Sequence, residues 1–354
     1  MFRKNMAALL YGLILTAFTA YFLLDTFVIA RVYSTVPEVS AQTSDLSLTE
    51  TEEDTAEAAE APTEQETETS SRKHRGSGER GRKKTSSDAA DSASEGSGSG
   101  SGEDSVSPSS ASSSSETTYQ DENMTVTLTE YQVDGTTVYA ADIQLSSASY
   151  LKTALAKSAY GKNVTETTSE MAESNNAVLA INGDYYGAQE KGYVLRNGVL
   201  YRNTAEKGQE DLVIYEDGSF EIIVEDEITA EELLEKGAVQ ILSFGPALIT
   251  DGKVSVTEND EVGRAMASNP RTAIGIIDDL HYVFVVSDGR TDESQGLTLY
   301  QLSQFMESLG ADTAYNLDGG GSSSMVFQGV LVNNPTTTGN SIKERSVSDI
   351  VYIG

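Results

Sequence analysis

The sequence predicts an α+β fold at 119–354, a twisted and largely antiparallel sheet with packed helices, behind an N-terminal transmembrane helix and a disordered tether. Three observations predict it. A long apolar run opens the chain, a low-complexity tract follows, and paired apolar runs joined by Asn-Gly or Asp-Gly fill much of the rest. Such pairs are typical of antiparallel hairpins. The chain therefore divides into an anchor at 1–32, a tether at 33–118 and one globular domain.

The N-terminal apolar run spans 6–30 and is interrupted only by Asp25. As a helix it would be about 37 Å long, enough to cross a hydrocarbon core of about 30 Å. Arg3 and Lys4 precede the run, which predicts a cytoplasmic N-terminus. We therefore expect a single-pass membrane protein whose domain lies outside the cytoplasm, at the cell surface.

The tether at 33–118 is rich in Ser, Thr, Glu and Gly, and it has too few large apolar residues to offset the entropy of ordering. A basic cluster at 72–84 lies inside it. This cluster is either part of a solvated, charge-balanced linker or a patch for anionic envelope polymer or lipid headgroups.

Charge and composition exclude several classes of function. The net charge of −31 argues against a nucleic-acid partner, because neutralising phosphates requires a basic face. The chain has no cysteine, which excludes disulfides, thiolate zinc sites and a catalytic thiol.

The globular domain reads mostly as strands. Predicted hairpins join 194–196 to 199–201, 212–215 to 220–224, 247–250 to 253–256, and 271–277 to 281–286. The strongest helix prediction is 298–309, where Leu299, Leu302, Phe305 and Met306 share one face. A second helix, at 229–236, opens with Thr229 and Glu232 in capping-box spacing.

Three loops repeat one order: an apolar strand, small polar residues, a carboxylate and a glycine. They are Asn182-Gly183-Asp184, Ser287-Asp288-Gly289-Arg290 and Asn316-Leu317-Asp318-Gly319. One such loop is an ordinary turn, whereas three in one domain predict a converging site. Its candidate catalytic carboxylates are Asp184, Asp288 and Asp318.

The third loop continues as Gly319, Gly320, Gly321, Ser322 and Ser323. Consecutive glycines allow backbone N–H groups to approach a ligand closely, and such groups bind phosphate well. Arg271 follows Pro270 at the start of an apolar strand. It is either a structural ion-pair partner of the carboxylates or a bidentate ligand of an anionic substrate group.

The sequence lacks the residues that a nucleotide P-loop, a serine hydrolase or a zinc enzyme would need. The glycine run has no Gly-Lys-Ser/Thr ending, no Gly-x-Ser-x-Gly elbow occurs, and the only histidines are His74 and His281. Zinc is disfavoured without a His or Cys cluster. What remains suits glycosyl transfer or a Ca²⁺ or Mg²⁺ ion held by Asp184, Asp288 and Asp318.

Four motifs in this order resemble the phosphodiester glycosidase family. They are Asn182-Gly-Asp184-Tyr-Tyr, Asn269-Pro-Arg271-Thr, Asp288-Gly-Arg290 with Gly296-Leu-Thr298-Leu, and Asn316-Leu-Asp318-Gly-Gly-Gly-Ser322-Ser.

The resemblance covers 119–354 and implies hydrolysis of the glycosidic bond of a sugar-1-phosphodiester in a glycan or envelope polysaccharide, including exopolysaccharide. It implies that the substrate contacts Asn182, Arg271, Arg290, Asn316, Gly319, Gly320, Gly321, Ser322 and Ser323. Two alternatives stay open: a non-catalytic carbohydrate- or envelope-binding module, and a metal-dependent phosphodiesterase that attacks phosphorus.

Overall fold

The computed structural model describes residues 2–36, 112–260 and 268–354. Most of the predicted tether, including the basic cluster at 72–84, lies outside these described residues. Its predicted disorder therefore stays a prediction.

The described chain contains four α-helices and twenty strands. The helices are α1 (Phe2–Phe27), α2 (Thr168–Ser174), α3 (Ala230–Glu235) and α4 (Leu299–Ser308). The strands are β1 (Arg31–Thr35), β2 (Ser112–Gln120), β3 (Met124–Val133), β4 (Thr136–Leu145), β5 (Leu151–Leu155), β6 (Ala159–Lys162), β7 (Leu179–Asn182), β8 (Val194–Arg196), β9 (Val199–Arg202), β10 (Glu210–Tyr215), β11 (Phe220–Val224), β12 (Ala238–Leu242), β13 (Ala247–Thr250), β14 (Lys253–Val254), β15 (Arg271–Asp278), β16 (His281–Ser287), β17 (Thr313–Asn316), β18 (Met325–Phe327), β19 (Val330–Leu331) and β20 (Asp349–Ile353).

The strands form an eight-stranded sheet, two five-stranded sheets and a two-stranded β1-β6 pair. The eight-stranded sheet has the order β14-β13-β17-β15-β16-β4-β3-β2. The five-stranded sheets have the orders β11-β10-β12-β8-β9 and β19-β18-β7-β20-β5. All described strand pairings in these three sheets are antiparallel. The α+β prediction is confirmed, but the prediction of one sheet is wrong.

Several sheets form because one large core is shared between them. The main apolar cluster takes Ile143 and Phe284 from the eight-stranded sheet, Leu212 from one five-stranded sheet and Ile181 and Val351 from the other, and all five are fully buried. Packing face on face buries an apolar surface that one open sheet would leave in water.

The two predicted helices form as α3 and α4, and each has its N-cap threonine at the start of the predicted range. Thr298 and Thr229 each close a capping box, with Gln301 and Glu232 respectively. The apolar face of α4 packs into a second cluster with the eight-stranded sheet. The predicted hairpins also form, and the turn at Asn197-Gly198 has φ of 50° and 77° at its two residues, as a type I′ turn requires.

The N-terminal region differs from its prediction. Among the residues that the structure describes, no helix is both long and apolar enough to cross a membrane. The transmembrane anchor predicted at 1–32 is therefore not supported.

A short strand lies where the tether was expected to begin. β1 pairs with β6 in the register Arg31↔Lys162 and Thr35↔Ala159. The ring of Tyr33 lies 5.8 Å from that of Tyr160, measured between ring centroids. At the other end of the predicted tether, β2 already pairs with β3 from Ser112 onward.

The β1-β6 pairing depends on Gly161. A Cβ atom at this position would lie 2.0 Å from the backbone oxygen of Arg31, so no other residue fits while β1 is paired. We expect Gly161→Ala to displace β1 and to accelerate amide exchange across 31–35. Hydrogen exchange read by mass spectrometry checks this, with the amides of β20 as an internal reference.

Lys162→Ala is the matched control, because it removes only a surface ion pair with Glu190 and leaves the β6 backbone intact. Unchanged protection of 31–35 in Gly161→Ala would show that β1 does not depend on this glycine.

Candidate active site

Two of the three carboxylate loops meet at neighbouring strand ends. β17 pairs with β15, with Asn316 opposite Ala273, and the N–H of Leu317 donates to Thr272 O at 2.9 Å. The N–H of Asp318 then donates to Gly183 O, at 3.3 Å. This contact places the loop after β17 directly beside the loop after β7.

Asn182 is the residue that joins these loops. Its amide Nδ2 donates to Asp318 O at 2.6 Å, and its Oδ1 accepts from Thr272 Oγ1 at 2.9 Å and from Ser324 N at 3.1 Å. The side chain is fully buried. The Asn182 side chain thus holds the loops after β7 and β17 together.

The glycine run is packed against the protein itself. A Cβ at Gly319 would lie 2.9 Å from Pro270 O, one at Gly321 would lie 2.5 Å from Thr337 Oγ1, and one at Gly320 would lie 2.7 Å from Arg290 Nη2. Gly320 also has φ of 63°, in the left-handed region. The glycines are therefore needed for close backbone approach, as predicted, but to other parts of the chain.

The N–H groups of this run are largely committed. Gly320 N donates to Pro270 O at 2.8 Å, Ser322 N to Gly319 O at 3.2 Å and Ser323 N to Gly320 O at 3.3 Å. These three donors are paired within the protein and are therefore not available to a phosphate.

Asp184 belongs to a buried ion cluster that the sequence did not reveal. Its Oδ2 accepts from Arg196 Nη2 at 2.7 Å and from Ser243 N at 2.9 Å, and its Oδ1 accepts from Tyr186 N at 2.9 Å. Arg196 also donates to Asp349 Oδ2, through Nε at 2.9 Å and Nη2 at 2.7 Å. One guanidinium thus serves two carboxylates, in a site where all three side chains are at most 2% exposed.

The two carboxylates of this cluster are not equivalent. Burial and the neighbouring Asp184 raise the pKa of Asp349, although the ion pair with Arg196 opposes the rise. Its Oδ1 has no hydrogen-bond partner among the described residues, and a Cβ at Gly183 would lie 2.4 Å from that atom. Asp349 therefore holds a proton more tightly than an ordinary aspartate does.

Asp318 is the partly exposed carboxyl group of the site. Burial raises its pKa to about 6, and the charge of Asp184 adds to the rise. Hydrogen bonds from Ser322 and from Gly319 N, and the positive charge of Arg345, act in the opposite direction. A carboxyl group with this pKa exchanges protons readily near neutral pH.

Asp184 and Asp318 line one cavity of about 310 Å³. Its other lining residues are Val28, Asn163, Thr165, Tyr185, Gly187, Ala188, Ser322, Arg345, Ser346, Val347 and Ser348. A volume of this size lies at the lower end of the range for small-ligand sites. Two carboxylates in different surroundings on one cavity are an arrangement suited to acid–base chemistry.

A sequence profile of the family described as Phosphodiester glycosidase matches residues 175–354, which contain both carboxylates. The chain belongs to the phosphodiester glycosidase family. The matched region includes all four motifs from which the resemblance was drawn.

The chain is also similar to named proteins. The chain is 32% identical over 180 residues to a SPbeta prophage-derived uncharacterized protein of Bacillus subtilis, covering 49% of this chain and 28% of that protein. It is 30% identical over 188 residues to human N-acetylglucosamine-1-phosphodiester alpha-N-acetylglucosaminidase, covering 48% and 36%. The chain thus matches about a third of the length of these curated relatives.

The fold also matches a solved structure. The catalytic domain of the zebrafish N-acetylglucosamine-1-phosphodiester alpha-N-acetylglucosaminidase, auto-inhibited by its pro-peptide, aligns with a TM-score of 0.53 and 20% identity. The alignment covers 70% of this chain and 88% of that one. This likeness supports the fold and not the details of the site.

Three charged residues predicted for the family's site lie outside the described cavity lining. Asp288 accepts from Asn334 N at 2.8 Å and from Asn334 Nδ2 at 3.0 Å, so it anchors the loop at 333–334. Arg290 donates to Asn269 Oδ1 and to Thr337 O. Arg271 is buried and its Nε donates to Leu297 O at 2.9 Å.

Asn316 is also buried, and its Nδ2 donates to Gly245 O at 2.7 Å. Of the predicted site residues, the described cavity lining therefore contains Asp184, Asp318 and Ser322. The other predicted site residues lie outside this lining.

The three carboxylates considered as ligands of a possible metal ion do not form one group. Within 2–36, 112–260 and 268–354, no group of three or more His, Asp or Glu side chains is arranged to hold a metal ion. Asp288 is occupied by the amides of the 333–334 loop instead. These residues do not fit a Ca²⁺ or Mg²⁺ ion held by Asp184, Asp288 and Asp318 together.

Sequence analysis missed Arg196, Asp349 and Arg345. Arg196 follows two apolar residues before a turn, and Asp349 precedes the apolar run of the last strand. A charge inside an apolar strand is the signal that could have singled out both, because buried charges must be paired. Arg345 has no comparable sequence signal.

The raised pKa of Asp318 predicts how stability depends on pH. The folded state holds this proton more tightly than the unfolded chain, so the free energy of unfolding falls as pH rises from about 4 through about 6. Asp318→Asn removes this decrease in the free energy of unfolding, because asparagine does not ionise. We expect the variant to match the wild type at pH 4 and to exceed it at pH 7.5 by on the order of 1–3 kcal/mol.

Urea unfolding at the two pH values measures the difference. Asp312→Asn, an exposed position just before β17, is the control and should show none of this pH dependence. Equal stability of Asp318→Asn and wild type at both pH values would contradict the raised pKa.

Proposed function

We propose that this chain hydrolyses the glycosidic bond of a sugar-1-phosphodiester, releasing a free sugar and a phosphomonoester. The observation that carries the proposal is the pair Asp184 and Asp318 on one cavity, in a chain of the phosphodiester glycosidase family. The curated relatives named N-acetylglucosamine-1-phosphodiester alpha-N-acetylglucosaminidase make an N-acetylglucosamine 1-phosphodiester the first substrate to test.

The two carboxylates have different proposed roles. The carboxylate of Asp184 accepts hydrogen bonds from Arg196 and from two backbone N–H groups, which hold it in place. Its proposed role is to supply negative charge beside the anomeric carbon as oxocarbenium character develops. Asp318 is the general base, because its pKa of about 6 lets it lose a proton near neutral pH.

In the proposed step, a water oxygen bonds to the anomeric carbon and gives its proton to Asp318. The bond between that carbon and the bridging oxygen breaks, and the oxygen leaves on the phosphate. A phosphomonoester is a good leaving group, so the step does not require the strong general acid of an ordinary glycosidase.

The position of bond cleavage tests this proposal. We expect hydrolysis in ¹⁸O-water to label the sugar hydroxyl and not the phosphate, as mass spectrometry of both products shows. Label on the phosphate would instead establish a phosphodiesterase. Substrate that is bound but unchanged after long incubation would establish a binding module.

The base role of Asp318 predicts a pH profile. Since the ionised form is the active one, kcat/KM should rise as pH increases through about 6. Asp318→Asn should lose activity by about a hundredfold or more while remaining folded. Asp312→Asn should behave as wild type. A rate that falls through pH 6 would make Asp318 an acid and contradict the assignment.

We also propose that the domain acts outside the cytoplasm on envelope polysaccharide or a related glycan, with the N-terminus inside. This placement is supported by sequence alone, through Arg3, Lys4 and the apolar run at 6–30. Protease added to intact cells should degrade the domain; a protected domain would refute the placement.

A further inference from the structure

Arg345 is the one Lys or Arg among the described residues that line the cavity. It precedes β20 on the segment that also contributes Ser346, Val347 and Ser348 to the lining. The side chain is exposed, and it makes no hydrogen bond or ion pair with another residue in the described part of the chain. Its guanidinium donors therefore face solvent at the cavity.

The other arginines around the site donate to the protein. Arg196 binds two carboxylates, Arg202 donates to Gly192 O and Gln189 O, and Arg290 donates to Asn269 and Thr337. Arg271 is buried and donates to Leu297 O. Arginines with such acceptors hold the fold, and releasing one would leave a buried acceptor unpaired.

The cavity has a negative side that Arg345 balances. Asp184, Asp318 and Arg345 all line it. Burial and then the charge of Asp184 raise the pKa of Asp318, whereas the positive charge of Arg345 lowers it. Burial lowers the pKa of Arg290, and the positive charge of Arg345 lowers it further. Arg345 and Asp318 line the same cavity, so both can contact one bound molecule.

We propose that Arg345 binds the non-bridging oxygens of the substrate's phosphodiester, and so sets the preference of this site for an anionic leaving group. This inference rests on the proposed function. It assigns to Arg345 the binding of an anionic substrate group, which the sequence had suggested for Arg271. A guanidinium presents paired N–H donors that match two phosphate oxygens. Binding there leaves the anomeric carbon toward Asp184 and Asp318.

The test compares two substrates of one sugar: N-acetylglucosamine 1-(methyl phosphate) and the neutral 4-nitrophenyl N-acetyl-α-glucosaminide. We expect Arg345→Gln to lower kcat/KM for the phosphodiester by roughly tenfold to a hundredfold, and to change the neutral glycoside little. On the phosphodiester, kcat/KM of Arg345→Lys should lie between the values for wild type and Arg345→Gln, because lysine keeps the charge but lacks the paired N–H donors of a guanidinium.

Lys343→Gln is the matched control, since Lys343 is an exposed cation two positions earlier that does not line the cavity. It should leave kcat/KM for both substrates unchanged.

Arg345→Gln should also shift the acid limb of the pH profile to higher pH, because removing the positive charge disfavours the Asp318 carboxylate. Arg345→Lys should not shift it.

A binding measurement separates this inference from the proposed function. Calorimetric titration of the phosphodiester into Asp318→Asn, with and without Arg345→Gln, reads affinity without turnover. If wild type hydrolyses nothing but Arg345→Gln weakens binding, the hydrolase proposal fails and the role of Arg345 holds. Equal binding with and without Arg345, or equal losses on both substrates, overturns the role of Arg345.

Discussion

The architecture of the site depends on one buried guanidinium shared by two carboxylates. Arg196 lies at the end of β8 in one five-stranded sheet, and Asp349 opens β20 in the other. Asp184, on the loop after β7, is bound by both Arg196 and the backbone after β12. Taking charged groups out of water is costly, and this pairing offsets the cost only while its geometry is kept.

This constraint explains why the site can be both rigid and reactive. The buried cluster fixes Asp184, so the negative charge of Asp184 stays in place and acts on its neighbours. Asp318 lies at the edge of the same electrostatic environment and is only partly buried, which raises its pKa without removing it from solvent. Asp318 therefore destabilises the folded state when it is ionised. Such a cost to stability is common at functional sites, where the residues that give activity often lower stability.

The glycine run shows how one motif can serve packing and chemistry together. Gly319 and Gly321 bring the loop against Pro270 and Thr337, and Gly320 makes room for Arg290. These contacts fix the backbone on both sides of Asp318 and Ser322. Several motif residues that do not line the cavity, such as Asn182 and Arg290, therefore support the two that do.

The sequence by itself determined the local features: the capped helices α3 and α4, the hairpins with Asn-Gly or Asp-Gly turns, and the loops of Asp184 and Asp318. These follow from neighbouring residues, because caps, turns and alternation are short-range effects. Only the tertiary structure decided which loops meet. It separated Asp288 from the cavity, committed Arg271 to Leu297 and brought Arg196, Asp349 and Arg345 to the site. Those outcomes depend on strand order, burial and charge pairing between residues far apart in the chain, which no local pattern encodes.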